Sequence, residues 1–289
     1  NGRTAYLADP VSGATHLVEC NYADEADLPR FDHHRPSDPG YGVSPDNFLP
    51  ASSIGQVIQF LALHNKLPDD WRWHTAGGVP DIPLGEWMTP AGDGPWEICS
   101  GQLDADSCFT LVPDELVLTA AADHCLLAAY QGECLGGDPG KLATWRAQSR
   151  AAFQGRPVKE VPRAIANAKE VLCSAHDMVG MPGVADMRKY AFIPELPEAA
   201  CQLGHAFVAR LVDDNRTKYL IQAATAEQLS AFRAWSDAEG LVDFYGGDPM
   251  RGFAGAYGHS TTAPAIPGKE NIMDTDTTYT LEISDDGGP

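Results

Sequence analysis

The residues best suited to chemistry lie in "RFDHHRPSDPGYG", Arg30 to Gly42, where Asp32, His33 and His34 are consecutive in a segment dense with proline and glycine. Carboxylate oxygen beside imidazole nitrogen is a ligand set for Mn²⁺, Zn²⁺ or Fe²⁺. Three more groups offer similar atoms: Asp104-Ala-Asp106, Asp123-His124 and His176-Asp177. On an extended segment Asp104 and Asp106 project to the same side, an arrangement that invites a cation between them. Solvated loop acids are the plain alternative. Asp123 and His124 sit in "LTAAADHCLLAAY", otherwise apolar or small. A carboxylate buried there must be paired, protonated or cation-bound, or it costs several kcal/mol. A structural Asp-His pair turned away from the core is the competing reading. His176-Asp177 falls at a predicted helix end, where a histidine can simply answer the helix dipole. Asp32, His33 and Asp123, some ninety residues apart, are expected to converge if the motifs share a purpose.

A second kind of site is suggested by "YGGDPMRGFAGAYG", Tyr245 to Gly258. Gly246 and Gly247 permit turns with positive φ that aim backbone N–H groups at an anion, and Arg251 adds a guanidinium fork for phosphate or carboxylate. A tight turn with Arg251 paired to a surface acid is the alternative.

The elements that must position these residues are mixed. "RTAYLAD" and "ATHLVEC" flank "PVSG" and predict a hairpin. "SSIGQVIQFLALHNK" has apolar residues at helical spacing, with Ser52 or Ser53 placed to cap. Residues 67–101, rich in Pro, Gly and Trp, read as a long irregular segment, and Trp87 and Trp96 are expected to cover the site. "PDELVLTAAADHCLLAAYQG" predicts one helix from Pro113 to Gly132, followed by helices in "DPGKLATWRAQSRAAFQG" and "KEVPRAIANAKEVLCSAHD". Later, "TKYLIQAA" reads as strand, "TAEQLSAFRAWSDAEG" as amphipathic helix, and "LVDFYGG" and "TTYTLEIS" as strands before a polar, flexible tail. The expectation is an α+β or mixed α/β fold. A larger N-terminal lobe with a helical core spans residues 1–185 and binds metal; a smaller C-terminal α/β lobe, 186–289, covers the substrate.

Composition narrows the partners. Forty Asp and Glu oppose 20 Lys and Arg over 289 residues, a formal net charge of -20. Such a field repels a phosphate backbone and no basic cluster reverses it, which argues against long nucleic acid. No apolar run approaches the ~20 residues that cross a bilayer. Seven scattered cysteines without a C-x-x-C pair read as free thiols of a cytoplasmic protein. Self-association is left open.

"FDHHRPSDPGYG…FLPASSIGQVIQFL" resembles the signature of the DHH phosphoesterase superfamily, in which Asp-His-His precedes a loop and a serine-rich helix start. "LDADS" is similar to its Asp-x-Asp motif, and the glycine-rich segment around Arg251 to the phosphate-gripping motif of its C-terminal domain. In that family Asp-x-Asp comes first, whereas here Asp104 follows His34, and Asp248-Pro249 stand where the family shows histidine. The resemblance implies a two-lobed enzyme with a Mn²⁺ pair that cleaves phosphoesters. The resulting expectation is a metal-dependent hydrolase of a small anionic, phosphorylated metabolite or nucleotide. Asp32, His33, His34, Asp104, Asp106, Asp123 and His124 would hold divalent metal, Mn²⁺ first and Mg²⁺, Zn²⁺ or Fe²⁺ otherwise. His34 or His124 would carry protons, and Arg251 with Gly246 and Gly247 would bind substrate. The alternatives are a metalloenzyme of a non-phosphorylated metabolite, or a non-catalytic acidic protein that binds a cation or a partner.

Overall fold

The computed structural model of the chain describes residues 17–18, 30–34, 36–63, 66, 73–75, 88–90, 96–100, 108–213 and 216–258. The expected first strand "RTAYLAD", the Asp104-x-Asp106 pair, Trp87, the strand "TTYTLEIS" and the tail lie outside them. The fold is α+β, with eight α-helices and a mixed six-stranded sheet among the described residues.

That sheet organises the molecule. Its order is β11 (Val242–Asp248), β12 (Phe253–Tyr257), β10 (Arg216–Gln222), β9 (Ala206–Asp213), β8 (Met181–Asp186), β7 (Asp177–Met178). Neighbours are antiparallel except β8 and β9, which run parallel because α7 (Leu196–Leu203) returns the chain between them. The central strands are buried on both faces, and alternation along them shows it. On β9, Ala206 and Val208 join a cluster with Leu229 and Phe232 of α8 (Ala226–Ala238). Phe207 and Ala209 point the other way, into a larger core with Phe48, Leu118, Leu126 and Leu172. The result is three layers: α8, the sheet, and the remaining helices. The larger core takes residues from both sides of position 185, so the two expected lobes share it.

The helical layer contains α1 (Phe48–Ala51), α2 (Ser53–Leu63), α3 (Asp114–His124), α4 (Leu126–Gln131), α5 (Pro139–Gln154) and α6 (Glu160–Ser174). Ser52 caps α2, its Oγ accepting from Gly55 N at 3.0 Å. Asp138 caps α5 through Gly140 N and Lys141 N, and Thr225 with Gln228 forms a capping box on α8. The single helix expected from 113 to 132 is instead two. The backbone leaves helical geometry at Cys125 (φ -150°, ψ 54°), which ends α3 and begins α4.

Residues 67–101 are not wholly irregular. β3 (Trp73–Thr75), β4 (Met88–Pro90) and β5 (Trp96–Ser100) join β6 (Cys108–Leu111) in an antiparallel sheet of order β3-β6-β5-β4, in which β6 pairs with β3 and β5, and β4 with β5. The segment "ATHLVEC" contributes β1 (Leu17–Val18), which pairs parallel with β2 (Arg30–Phe31). Among the described residues, no helix is long and apolar enough to cross a membrane.

Candidate functional site

Four segments meet around His33: the loop after β2, the start of α2, the end of α3, and the turn between β11 and β12. The loop is anchored first through its backbone. Gln56 of α2 accepts from Asp32 N at 3.1 Å and donates to Asp32 O at 3.0 Å and Ala51 O at 2.8 Å. Gly40 N closes the loop onto Asp32 O. Only glycine fits at position 40, since a Cβ would lie 1.8 Å from Ala51 O and 2.7 Å from His33 Cβ.

Asp32 is fully buried, and its Oδ1 accepts from His33 N (2.7 Å), His34 N (3.2 Å) and His34 Nδ1 (2.5 Å). A carboxylate oxygen accepts only, so His34 carries its proton on Nδ1 and a neutral His34 offers its lone pair at Nε2. His124 is oriented in the same way. Its Nε2 lies 3.3 Å from Val43 O, which must accept, leaving the lone pair of the neutral ring on Nδ1. His33 contacts Ser53 Oγ through Nδ1 at 3.1 Å and stands edge-on to His124, with ring centroids 5.1 Å apart.

Two of these nitrogens have nothing to bond. His33 Nε2 and His124 Nδ1 are buried without a hydrogen-bond partner, in residues that are both 0 % exposed. Asp123 Oδ2 approaches His33 Nε2 to 3.5 Å, so the expected convergence across ninety residues is found. Asp32, His33 and His34 also bring three ligand atoms within 4.8 Å of one another. Buried orphan imidazole nitrogens are costly, and a cation that takes the lone pair His124 Nδ1 offers, and that of His33 Nε2 when its proton sits on Nδ1, removes the cost.

Both rings are held neutral, as ligands must be. Burial, then Arg251 and the neighbouring imidazoles, holds His33 far below the usual histidine range; the approach of Asp123 is therefore not an ion pair. Burial pushes His124 down to about 4. With folded values below the unfolded 6.5, the unfolded chain takes up protons first. Stability is thus present above pH 6.5 and is lost as pH falls toward 4. Chelator-treated protein should lose roughly 2 kcal/mol per histidine between pH 7.5 and pH 5 in urea unfolding. A flat profile over that window would mean the rings are already charged or solvated.

The C-terminal sheet supplies the rest. Arg251 donates to Asp123 O at 3.2 Å, which places its charge beside the histidines while satisfying a carbonyl at the end of α3. Asp248, fully buried, accepts from Gly42 N at 2.8 Å and Met250 N at 2.9 Å, tying the turn to the loop. Gly246 and Gly247, at φ 73° and 88°, lie in the irregular part of β11 where its register shifts before Asp248. Their positive φ lets the strand swing Asp248 toward Gly42. Asp123 and His124 occupy the last turn of α3, not mid-helix, and the Asp123 side chain is 34 % exposed. His176 and Asp177 belong to the β7–β8 hairpin, where Asp177 Oδ2 accepts from Gly183 N. Sequence reasoning did not single out Gln56, Asp248 or the Ser53 contact with His33; only the serine-rich helix start hinted at the last.

No family model, no curated protein and no solved structure matches the chain.

Proposed function

We propose that the chain is a metal-dependent hydrolase of a small phosphorylated metabolite or nucleotide, working in the cytoplasm. The observation that carries this reading is the pair of buried, neutral, unpartnered nitrogens, His33 Nε2 and His124 Nδ1, beside the Asp123 carboxylate. Together with Asp32 and His34, whose ligand atoms and that of His33 lie within 4.8 Å of one another, they would hold a divalent ion, with Asp104 and Asp106 as further candidates. Mn²⁺ is the first choice, and Mg²⁺, Zn²⁺ or Fe²⁺ suit the same donors. Such an ion brings the pKa of water toward neutrality. His34, oriented by Asp32 and with a side chain 19 % exposed, would pass a proton to the leaving group where it is not itself a ligand. Arg251 supplies the positive centre that an anionic substrate needs in a chain of net charge -20. Ser53, though it contacts His33, is only 2 % exposed, which disfavours a serine nucleophile. Likeness to DHH phosphoesterases supports the phosphoester assignment. Two imidazoles with one carboxylate equally suit an Fe²⁺ or Mn²⁺ enzyme of a non-phosphorylated metabolite.

Elemental analysis of the purified protein, followed by a screen of phosphomonoesters and phosphodiesters with added Mn²⁺, tests the proposal. The expected result is stoichiometric transition metal and turnover. With an authentic substrate, Arg251→Lys should raise KM roughly tenfold through loss of the bidentate fork, at unchanged metal content. Absence of bound metal in protein purified without chelator and again after Mn²⁺ reconstitution would overturn the proposal. Metal without phosphoester turnover would favour the second reading.

A further inference from the structure

We propose that Cys125 and Cys134 are a redox pair that closes into an intramolecular disulfide directly behind the histidine cluster. Their Sγ atoms lie 3.0 Å apart, nine residues apart in sequence, and both thiols are free. The residues are 0 % and 2 % exposed, so each sulfur faces the other in a closed space rather than solvent. Their places in the chain give the bond a consequence. Cys125 is the residue at which the α3–α4 helix breaks, immediately after His124. Cys134 follows α4 in the turn 131–138, whose other residues are exposed or half-buried. A bond between them would bracket α4 and fix the break that aims His124 at Val43.

The reaction is exchange with a small-molecule disulfide of the oxidised-glutathione class. Cys134 is carried by a turn whose other residues are exposed or half-buried, and local opening of that turn brings Cys134 to the oxidant first. Cys125 sits deeper, at the helix break and 0 % exposed, with its Sγ 3.0 Å from that of Cys134, so it attacks second. The Cys134 thiolate, its proton released to water, attacks one sulfur of the oxidant, whose S–S bond breaks and expels a thiolate. The Cys125 thiolate, likewise deprotonated, attacks Cys134 Sγ and displaces the second small thiolate. Two protein thiols have then lost two electrons, and the oxidant has gained them and the two protons as two thiols.

Full-length protein is equilibrated with oxidised glutathione, blocked with iodoacetamide under denaturing conditions, and digested without reductant for mass spectrometry. The expected product is a peptide cross-linked between Cys125 and Cys134, 2 Da lighter than the two thiols. Exposed Cys173 should be recovered as a mixed disulfide or alkylated, and buried Cys201 alkylated. Cross-linking should raise Tm by roughly 5 °C, reversibly with dithiothreitol. In Cys134→Ser, Cys125 should be recovered alkylated and the shift should vanish. Recovery of both Cys125 and Cys134 as alkylated thiols from oxidised wild type would overturn the proposal. So would either of them joined to any other cysteine.

Discussion

Protein carrying Asp123→Ala is expected to lose the proposed divalent ion and the proposed hydrolase activity, while its metal-free fold melts no lower than metal-free wild type. The carboxylate stands 3.5 Å from His33 Nε2, where a bridging ion would draw both together. Removing even an outer partner of a metal site costs about 10–100-fold in affinity or activity, so a direct ligand should cost roughly 10²-fold or more. The stability side follows from position. Asp123 lies in the last turn of α3, where a negative charge opposes the helix dipole. It is one-third exposed, and alanine is the better helix former. The bond from Arg251 goes to the backbone oxygen, which the substitution keeps. Metal content by elemental analysis and Tm in excess chelator separate the two effects. A metal-free Tm several degrees below wild type would make the carboxylate a structural group.

The largest loss of stability is expected at Glu198→Ala, about 3–5 kcal/mol in urea unfolding. Glu198 of α7 is fully buried and accepts from Arg146 of α5 through Nε at 3.0 Å and Nη2 at 2.7 Å. Tyr130 of α4 donates its hydroxyl to the other carboxylate oxygen. One side chain therefore joins three helices beneath the sheet. Without it, a guanidinium only 20 % exposed keeps its charge and loses its counterion, the costly way to break a buried pair. Glu198→Gln retains shape and some hydrogen bonding and should fall between. A loss below about 1 kcal/mol for Glu198→Ala would mean the pair is effectively solvated.

Much of the helical layer was legible because its determinants are local. Asp138-Pro139 starts α5 and Thr225 with Gln228 starts α8, since a cap needs only an acceptor within three residues of the orphan amides. Ser52 at the head of α2 was readable for the same reason. The strands from Arg216 and Val242 announced themselves by apolar runs bounded by turns, whereas those of residues 73–100 are too short and too interrupted to do so. Asp32, His33, His34, Asp123 and His124 were identifiable by type alone, because few side chains bind a cation and these stand in contexts where an unpaired charge is expensive.

What the sequence by itself determined, then, is the inventory: which segments become helix, where they are capped, and which residues carry donor atoms. Tertiary structure decided how those atoms are used. Nothing between Ala121 and Ala129 is proline or glycine, so no local rule breaks the helix at Cys125. The break coincides with His124 reaching Val43 and Cys125 meeting Cys134, partners 81 and nine residues distant. Asp248 was unreadable as part of the site because its role is a bond to Gly42, 206 residues away. The state of the imidazoles was equally out of reach. The neutrality of His33 and His124 comes from burial and from Arg251, and the tautomers of His34 and His124 from the acceptor each ring happens to face. Residue type fixes what a side chain is able to bind; desolvation and the position of distant neighbours fix whether its lone pair is free to do so.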